Sequence, residues 1–546
     1  MATTYYHPGL YIQEVPSARS VQGASTSVAA FVGVTQSGPV ATPTLVTSWN
    51  DYTRQFGGLV WYGYVSWAVF EFFNEGGSAC YVVRAADTAY GVPAAAKGSP
   101  ITATAVTPGT WGNNLKIAVT DGSGQASGKN PSPVFNFLVV VDAGLIDTVY
   151  TSANLTDQSL LLLQSFVVMN NLPRKTISGS DCYVLEAFNG FTGANLDVPQ
   201  GAASSYFMAR VNANSMFIRV VSSGTARPGN TVTPLAAGTQ TTYNLVAGVQ
   251  TLQKIQGVSL LAVPDTVTAT DASGKPSQKQ QATLINQSLA FCESMQSLFY
   301  AADPPCGLGV QDILNFKIGT GTGANANATA LNSSYGAIYY PWIAVLNPIA
   351  GLNVPVPPSG AALGRYAHTD ASVGVFKSPA GVNDGALRTA TSVATLVTDS
   401  DQDLLNPEGI NAIRNLIGYG NVIYGARTLA LGTEWTYVAV RRLFIYVEQS
   451  LKQSLQWVVF EPNDQQLWSS VTRDVSAFLN TLWQQGGLFG ATAAEAFFVT
   501  CDASNNPPET RMLGQLYVDI GLAPGYPAEF VIIRSTQKTA GPESGA

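Results

Sequence analysis

VAAFVGV, residues 28–34, and ACYVVRA, residues 79–85, read as two strands, and the stretch between them carries two helical patterns. The first, WNDYTRQF at 49–56, follows Ser48, whose hydroxyl is placed to cap it. Asp51 three residues later completes a variant of the capping box, and Gly57-Gly58 stops the helix. The second pattern, about 63–74, ends at Gly76-Gly77 and feeds directly into the second strand. Strand, helix and strand in this order predict an α/β layer.

Working outward, residues 89–250 change texture. They are rich in Gly, Thr, Ser and Asn, with short alternating strands such as LKIAVTDG (115–122) and VFNFLVVVD (134–142) and a helix at 156–170, so a β-rich insert is expected. From 251 the α/β texture returns. VSLLAVPD reads as a buried strand, 278–298 as a helix, and LFYAADPP as a strand closed by Pro304-Pro305. GTGTGANANATALN, 319–332, has the composition of a flexible loop.

Two amphipathic helices follow. In the first, Val440, Phe444, Val447, Leu451, Leu455 and Val458 make a stripe that leaves Arg441, Glu448, Lys452 and Gln456 outside. In the second, Leu467, Val471, Val475, Phe478 and Leu482 lie opposite Arg473, Asp474 and Asn480, and Gly486-Gly487 closes the helix. Strands are expected at 495–501, 514–522 and 527–534, the last two joined by the turn APGYP.

The two ends stand apart from this pattern. YYHPGLYIQEV, 5–15, is an extended arm ahead of the first strand, and PAEFVIIR, 527–534, is an apolar strand just before the tail. A strand left over at a terminus is either an edge in need of protection or a bridge to another chain.

Composition narrows the function classes. The chain has 546 residues, more than one core holds, with 46% hydrophobic and only 11% charged residues, so much of the surface is suited to facing other protein. The net charge of −7 comes with no basic block able to track a phosphate backbone, which argues against a nucleic-acid partner. The N-terminal MATTYYHPG lacks the charged and apolar regions of a secretory signal, and no apolar run reaches the ~18 residues of a membrane span. Cys80, Cys182, Cys292, Cys306 and Cys501 are an odd number without CxxC spacing and are expected as reduced core residues.

Catalytic patterns are scarce. With only His7 and His368, neither a metal cluster nor HExxH is available. Gly128-Lys129 and Gly274-Lys275 are followed by Asn130 and Pro276 where a phosphate loop needs Ser or Thr, and no GxSxG occurs. Asp401 and Asp403 sit in DSDQDLLNPEG, which reads as a helix entry. The expectation is a chain that is not an enzyme, without cofactor or metal. Of the two arginines that break the first amphipathic helix, Arg441 and Arg442, at least one needs a carboxylate partner, while Arg427 has a planar head able to tie two segments together. YYPWI and VPPSG, with Pro341-Trp342 and Pro357-Pro358 ahead of a helix start at Ser359, read as packing devices.

Six segments, HPGLYIQEVPSARSVQGASTSVAAFVG (7–33), PGTWGNNL (108–115), SSYGAIYYPWI (333–343), VPPSGAALGRYAHTDASVGVFKSPA (356–380), LNPEGINAIRNLIGYGNVIYGARTL (405–429) and VAVRRLFIYVEQSLKQSLQWVVFEPND (438–464), resemble contractile tail sheath proteins of phages, R-type pyocins and extracellular contractile injection systems. The resemblance spans roughly 1–115 and 251–535 and leaves 116–250 uncovered, where that family carries variable outward-facing inserts.

It implies an α+β, multi-domain fold: an α/β sheath core built from the N-terminal and C-terminal regions, a β-rich variable insert, and extended arms at both ends. The implied domains are an arm at 1–20, the N-terminal part of the core at 21–88, the insert at 89–250, a middle α/β domain at 251–400, a C-terminal core domain at 401–526, and a linking strand and tail at 527–546.

The implied function is that of a structural subunit that polymerises as a helical sheath or stacked rings around an inner tube protein and contracts to drive the tube through a target envelope. Baseplate and tail terminator proteins would be further partners, with no nucleic acid and no membrane insertion. The particle would be a virion tail or injection particle assembled in the bacterial cytoplasm. In such a subunit the arm residues Pro8, Gly9, Leu10, Tyr11, Ile12, Glu14 and Val15 and the C-terminal residues Phe530, Val531, Ile532, Ile533 and Arg534 would complete a small sheet in a neighbour. Arg441, Lys452 and Arg473 are candidates to face the tube.

Overall fold

A computed structural model describes residues 21–61, 63–89, 93–97, 100–107, 110–123, 133–150, 155, 157, 159–196, 206–222, 224, 226–239, 242–530 and 532. The chain forms two compact units, a smaller one built on Leu443–Gly525 and a larger one built on Ser25–Arg442, and the described residues from Tyr526 onward are part of the larger unit.

The core of the larger unit is a sheet of eight strands in the order Thr44–Val46, Cys80–Arg84, Ala29–Gly33, Leu260–Ala262, Phe299–Ala302, Gly336–Tyr340, Ile410–Leu416 and Gly420–Ile423. The six inner strands are parallel, and the two outermost are antiparallel. Every residue of Ala29–Gly33, Leu260–Ala262, Phe299–Ala302 and Gly336–Tyr340 is buried, which is why these segments read as continuous apolar runs. The two strands that open the sequence reading are direct neighbours, with Ala29 opposite Cys80 and Gly33 opposite Arg84.

The Trp49–Phe56 helix forms where its Ser48 cap predicts. Ser48 Oγ accepts from Asp51 N at the start of Trp49–Phe56, and Thr398 and Asp401 make a full capping box at the start of Asp399–Leu405, so Asp401 and Asp403 belong to a helix entry. The Val65–Glu75 and Ser359–Ser372 helices lie unusually close. A Cβ on Gly360 would come within 2.4 Å of Ala68 Cα, and one on Gly364 within 2.5 Å of Glu75 Cβ, so backbone approach depends on both glycines.

The 89–250 stretch is β-rich as its composition predicts. It holds an antiparallel sheet of five strands, ordered Val232–Pro234, Leu115–Asp121, Val134–Asp142, Ser180–Thr192 and Arg174–Ile177, beside a three-stranded sheet. The helix expected at 156–170 is Ser159–Met169.

Two expectations need correction here. The 319–332 stretch is tied down: buried Asn327 donates from Nδ2 to the carbonyls of Phe316 and Thr329, each at 2.6 Å, and accepts from Thr329 N at 2.9 Å. The expected C-terminal domain from 401 does not begin there. Ile410–Leu416 pairs with Gly336–Tyr340, which binds that region to the main sheet, and the division between units falls inside the Val438–Ser454 helix, after Arg442.

Candidate assembly surfaces

In the smaller unit, Phe497–Thr500 and Asp519–Leu522 form a two-stranded antiparallel sheet, with Phe498 opposite Gly521. A Cβ on Gly521 would meet the Phe498 ring at 2.0 Å, so the glycine makes room for the aromatic to lie across the pair. The loop between the strands is closed by a polar knot. Buried Asn506 donates to Tyr517 O at 2.9 Å and accepts from Tyr517 N at 2.7 Å, and Asn505 donates to Thr500 O at 2.8 Å and to Asp519 Oδ2 at 3.0 Å.

The strand expected at 514–522 is the shorter Asp519–Leu522, and its partner lies upstream of it in the chain. Asp519–Leu522 pairs with Phe497–Thr500, and Pro524 bridges to Leu488. Among the described residues no third strand lies along either outer edge. An isolated pair of strands is marginally stable in water, and open edges are templates for further strands.

The last described residues are exposed. Among the described residues of 526–530 and 532 none is in a strand, and Phe530 is 72% and Ile532 81% exposed. Just before them the chain is held to the larger unit. Arg427 Nε lies 3.1 Å from both carboxylate oxygens of Glu529, Nη2 reaches Oε2 at 2.5 Å, and Tyr437 packs edge-on against Tyr526 at 6.1 Å. This bears out the reading of Arg427 as a tie between segments. The arm residues Pro8, Gly9, Leu10, Tyr11, Ile12, Glu14 and Val15, and Val531, Ile533 and Arg534, lie outside the described residues. Where the chain is described again it lies along the second half of the Val438–Ser454 helix: Gln22 N donates to Ser454 Oγ and Ala24 N to Ser450 Oγ, both at 2.9 Å.

The three tube-facing candidates separate. Lys452 and Arg473 are on the surface, but Arg441 is buried, with its guanidinium 3.9 Å from the Tyr335 ring centroid and 4.5 Å from that of Trp435. Helical periodicity places Arg441 on the polar side, yet two aromatic rings from distant segments cover it and supply cation–π contact. Asp474, also read as outward, is buried as well. Arg442 meets the expectation of a carboxylate partner: Nη1 and Nη2 donate to Asp370 at 3.0 and 2.5 Å, and both side chains are almost wholly buried.

The five cysteines are free and buried, no group of His, Cys, Asp and Glu among the described residues could hold a metal, and no described helix is long and apolar enough to cross a membrane. Sequence reading missed a set of buried carboxylates. Asp265 accepts from the backbone N–H of Val34 (2.6 Å) and Tyr64 (2.7 Å), and Asp303 accepts from Ser359 N and Oγ at the start of its helix. Glu71 and Glu75, one helical turn apart and fully buried, share the Thr389 hydroxyl, and Glu75 also accepts from Arg388 N and Thr389 N at 2.7 and 2.9 Å, with Arg365 3.9 Å away. The available signal was acids recurring at i and i+4 on a helix dominated by Val, Trp, Phe and Ala.

Burial pushes Glu71 up to about 8, with the Thr389 hydrogen bond opposing and the nearby Glu75 adding to the rise, and burial pushes Asp265 and Asp303 up to about 7. A carboxyl whose folded value is raised binds its proton more tightly in the folded state. Its contribution is therefore full below the unfolded value and lost as pH rises through the folded one. Thermal melts should show lower stability at pH 9 than at pH 6, on the order of a few kcal/mol, and Glu71→Gln should reduce that slope. An unchanged slope in the variant would assign the dependence to other groups.

Comparison with known proteins agrees with this architecture. Residues 432–538 match the phage tail sheath C-terminal domain. A tail sheath protein of Vibrio phage KVP40 is 28% identical over 179 residues, 33% of this chain and 26% of the relative, so the match spans about a quarter of that protein's length. The sheath of an extracellular contractile injection system, PVC, solved in the contracted state, has a TM-score of 0.55 at 22% identity and covers 98% of this chain and 99% of its own. The helical sheath of the anti-feeding prophage in its contracted state gives 0.53 at 22% identity, covering 98% of this chain and all of its own. Residues 432–538 are thus similar to the C-terminal domain of phage tail sheaths, and the chain shares the fold of the contractile injection system sheaths along nearly its whole length.

Proposed function

We propose that this chain is a structural subunit of a contractile sheath, a protein without catalytic activity that polymerises around an inner tube and shortens to drive the tube through a target envelope. The observation that carries the reading is the combination of a two-stranded sheet with open outer edges, among the described residues, and a C-terminal segment whose Phe530 and Ile532 are exposed and outside any strand. A donor segment and an acceptor edge on one chain suit strand exchange between identical copies, which repeats without closing and yields a polymer.

In this reading the arm at 5–15 and the strand around Phe530 to Arg534 each add to the Phe497–Thr500 and Asp519–Leu522 sheet of a neighbour. Each strand contributes about four to six backbone hydrogen bonds at a net ~1 kcal/mol apiece. Burial of Leu10, Ile12, Phe530 and Ile532 adds roughly 1.5–3 kcal/mol for each side chain. Links of that strength hold while subunits rotate from a long, metastable arrangement to a shorter one with more interface. Lys452 and Arg473, both exposed, remain the cations suited to the inner tube, and baseplate and terminator proteins would bound the polymer in a virion tail or injection particle formed in the host cytoplasm.

Deleting residues 1–17 should leave a folded subunit that forms no long sheaths, because the arm serves a neighbour's sheet. Electron microscopy showing normal long tubes from the truncated chain would overturn this.

A further inference from the structure

The C-terminal segment does not simply trail from its sheet. Phe489 N donates to Ala523 O and Leu488 bridges to Pro524, which holds the chain to the smaller unit up to that point. Gly525 is the last residue of that unit, and Tyr526 is the first of the return to the larger one.

There Glu529 meets a prepared receptor. Arg427 Nη1 donates to Asn406 O at 3.1 Å, its guanidinium lies 6.0 Å from the Tyr437 ring centroid, and the remaining donors take the Glu529 carboxylate. The backbone of Arg427 is itself fixed. Asn411, fully buried in the Ile410–Leu416 strand, accepts from Arg427 N at 2.7 Å and donates to Arg427 O at 2.8 Å and to Ile338 O at 3.1 Å. Glu529 is therefore connected through Arg427 and Asn411 to two neighbouring strands of the main sheet. The next residue, Phe530, is exposed.

We propose that the Arg427–Glu529 pair is an anchor that sets where the C-terminal strand leaves its own subunit, so that the link to a second copy of this chain starts at Phe530 without slack. This rests on the sheath reading above and names residues that position the link without touching the partner. Without the anchor, the last hold on the chain is Tyr526 against the Tyr437 ring, and the three residues 527–529 add at most about 10 Å of reach. A longer tether lowers the effective concentration of the strand at its acceptor edge and lets the spacing between subunits vary.

The test uses the full chain with Glu529→Gln, Arg427→Lys, and the charge-reversed pair Arg427→Glu with Glu529→Arg, beside the wild type and a chain truncated after Pro524. In unassembled subunits, amide exchange at residues 526–530 should rise about tenfold in Glu529→Gln while the main-sheet strands exchange as in the wild type. The protein concentration needed for tube formation should rise about three- to tenfold, and the axial spacing in micrographs should broaden. The charge-reversed pair should recover both.

Wild-type exchange at 526–530 in Glu529→Gln, or faster exchange with unchanged tube threshold and spacing, would overturn the anchor. So would a charge-reversed pair that restores folding but not assembly. If the wild type forms tubes, the truncated chain does not, and Glu529→Gln assembles normally, the anchor alone fails. If the wild type forms no tubes under any condition, the sheath reading fails and takes the anchor with it.

Discussion

A chain carrying Phe530→Asp together with Ile532→Asp should melt like the wild type and assemble no sheath. Both side chains are exposed in the subunit, at 72% and 81%, so replacing them removes nothing from its own core. In the assembled state they would be buried against a neighbour's two-stranded sheet. Losing two such burials costs roughly 3–6 kcal/mol for each link, and placing two carboxylates in the same apolar contact adds several more. At about 1.4 kcal/mol per tenfold, the association constant of every link falls by at least about two orders of magnitude. Because the proposed polymer would repeat that link at each subunit, sedimentation and negative-stain microscopy should find only small species at concentrations where the wild type forms tubes. Long tubes from the double variant would mean that the C-terminal segment is not the connecting strand.

The second large effect is on the fold itself. Asp370→Asn should destabilise the larger unit by about 3–5 kcal/mol, because it strands the Arg442 guanidinium in a site built for a carboxylate. Arg442 is held by the two Asp370 oxygens, donates to Thr26 O at 3.0 Å, and lies 4.7 Å from the Tyr366 ring centroid. None of these partners compensates the charge that Asp370 does. Against a typical total of about 5–15 kcal/mol, the loss should be plain in urea denaturation of dilute, unassembled protein. Arg442→Met, which removes the charge with the need for it, should cost much less. Equal stability of Asp370→Asn and wild type would show that Arg442 is hydrated.

The neighbouring arginines illustrate how far sequence reaches. Arg441 and Arg442 interrupt an apolar helix, and that alone requires a partner for at least one of them. Nothing local says that Arg442 pairs with Asp370, seventy-two positions away, or that Arg441 lies on the rings of Tyr335 and Trp435. The same limit applies to the strands near the end of the chain. The apolar runs and the Pro-Gly turn were legible, but the partner of Asp519–Leu522 depended on the Asn505–Asn506 knot, which folds a long loop back onto Phe497–Thr500. The side-chain amides buried in that loop hold it closed across the gap between the two strands.

Sequence alone was enough for the local grammar and for a family resemblance. Apolar runs at 28–34, 79–85, 258–265 and 298–305 identified four strands of the main sheet, Ser48 marked a helix start, and six ordered segments carried the resemblance to tail sheath proteins. These properties depend on neighbours within a few positions, where backbone geometry and periodicity rule. Tertiary structure was needed to settle which strands pair near the C-terminus, which charges are buried, and that Glu529 pairs with Arg427 next to an exposed Phe530. Those outcomes are set by desolvation and by partners brought together from distant parts of the chain, and neither is encoded in the spacing of adjacent residues.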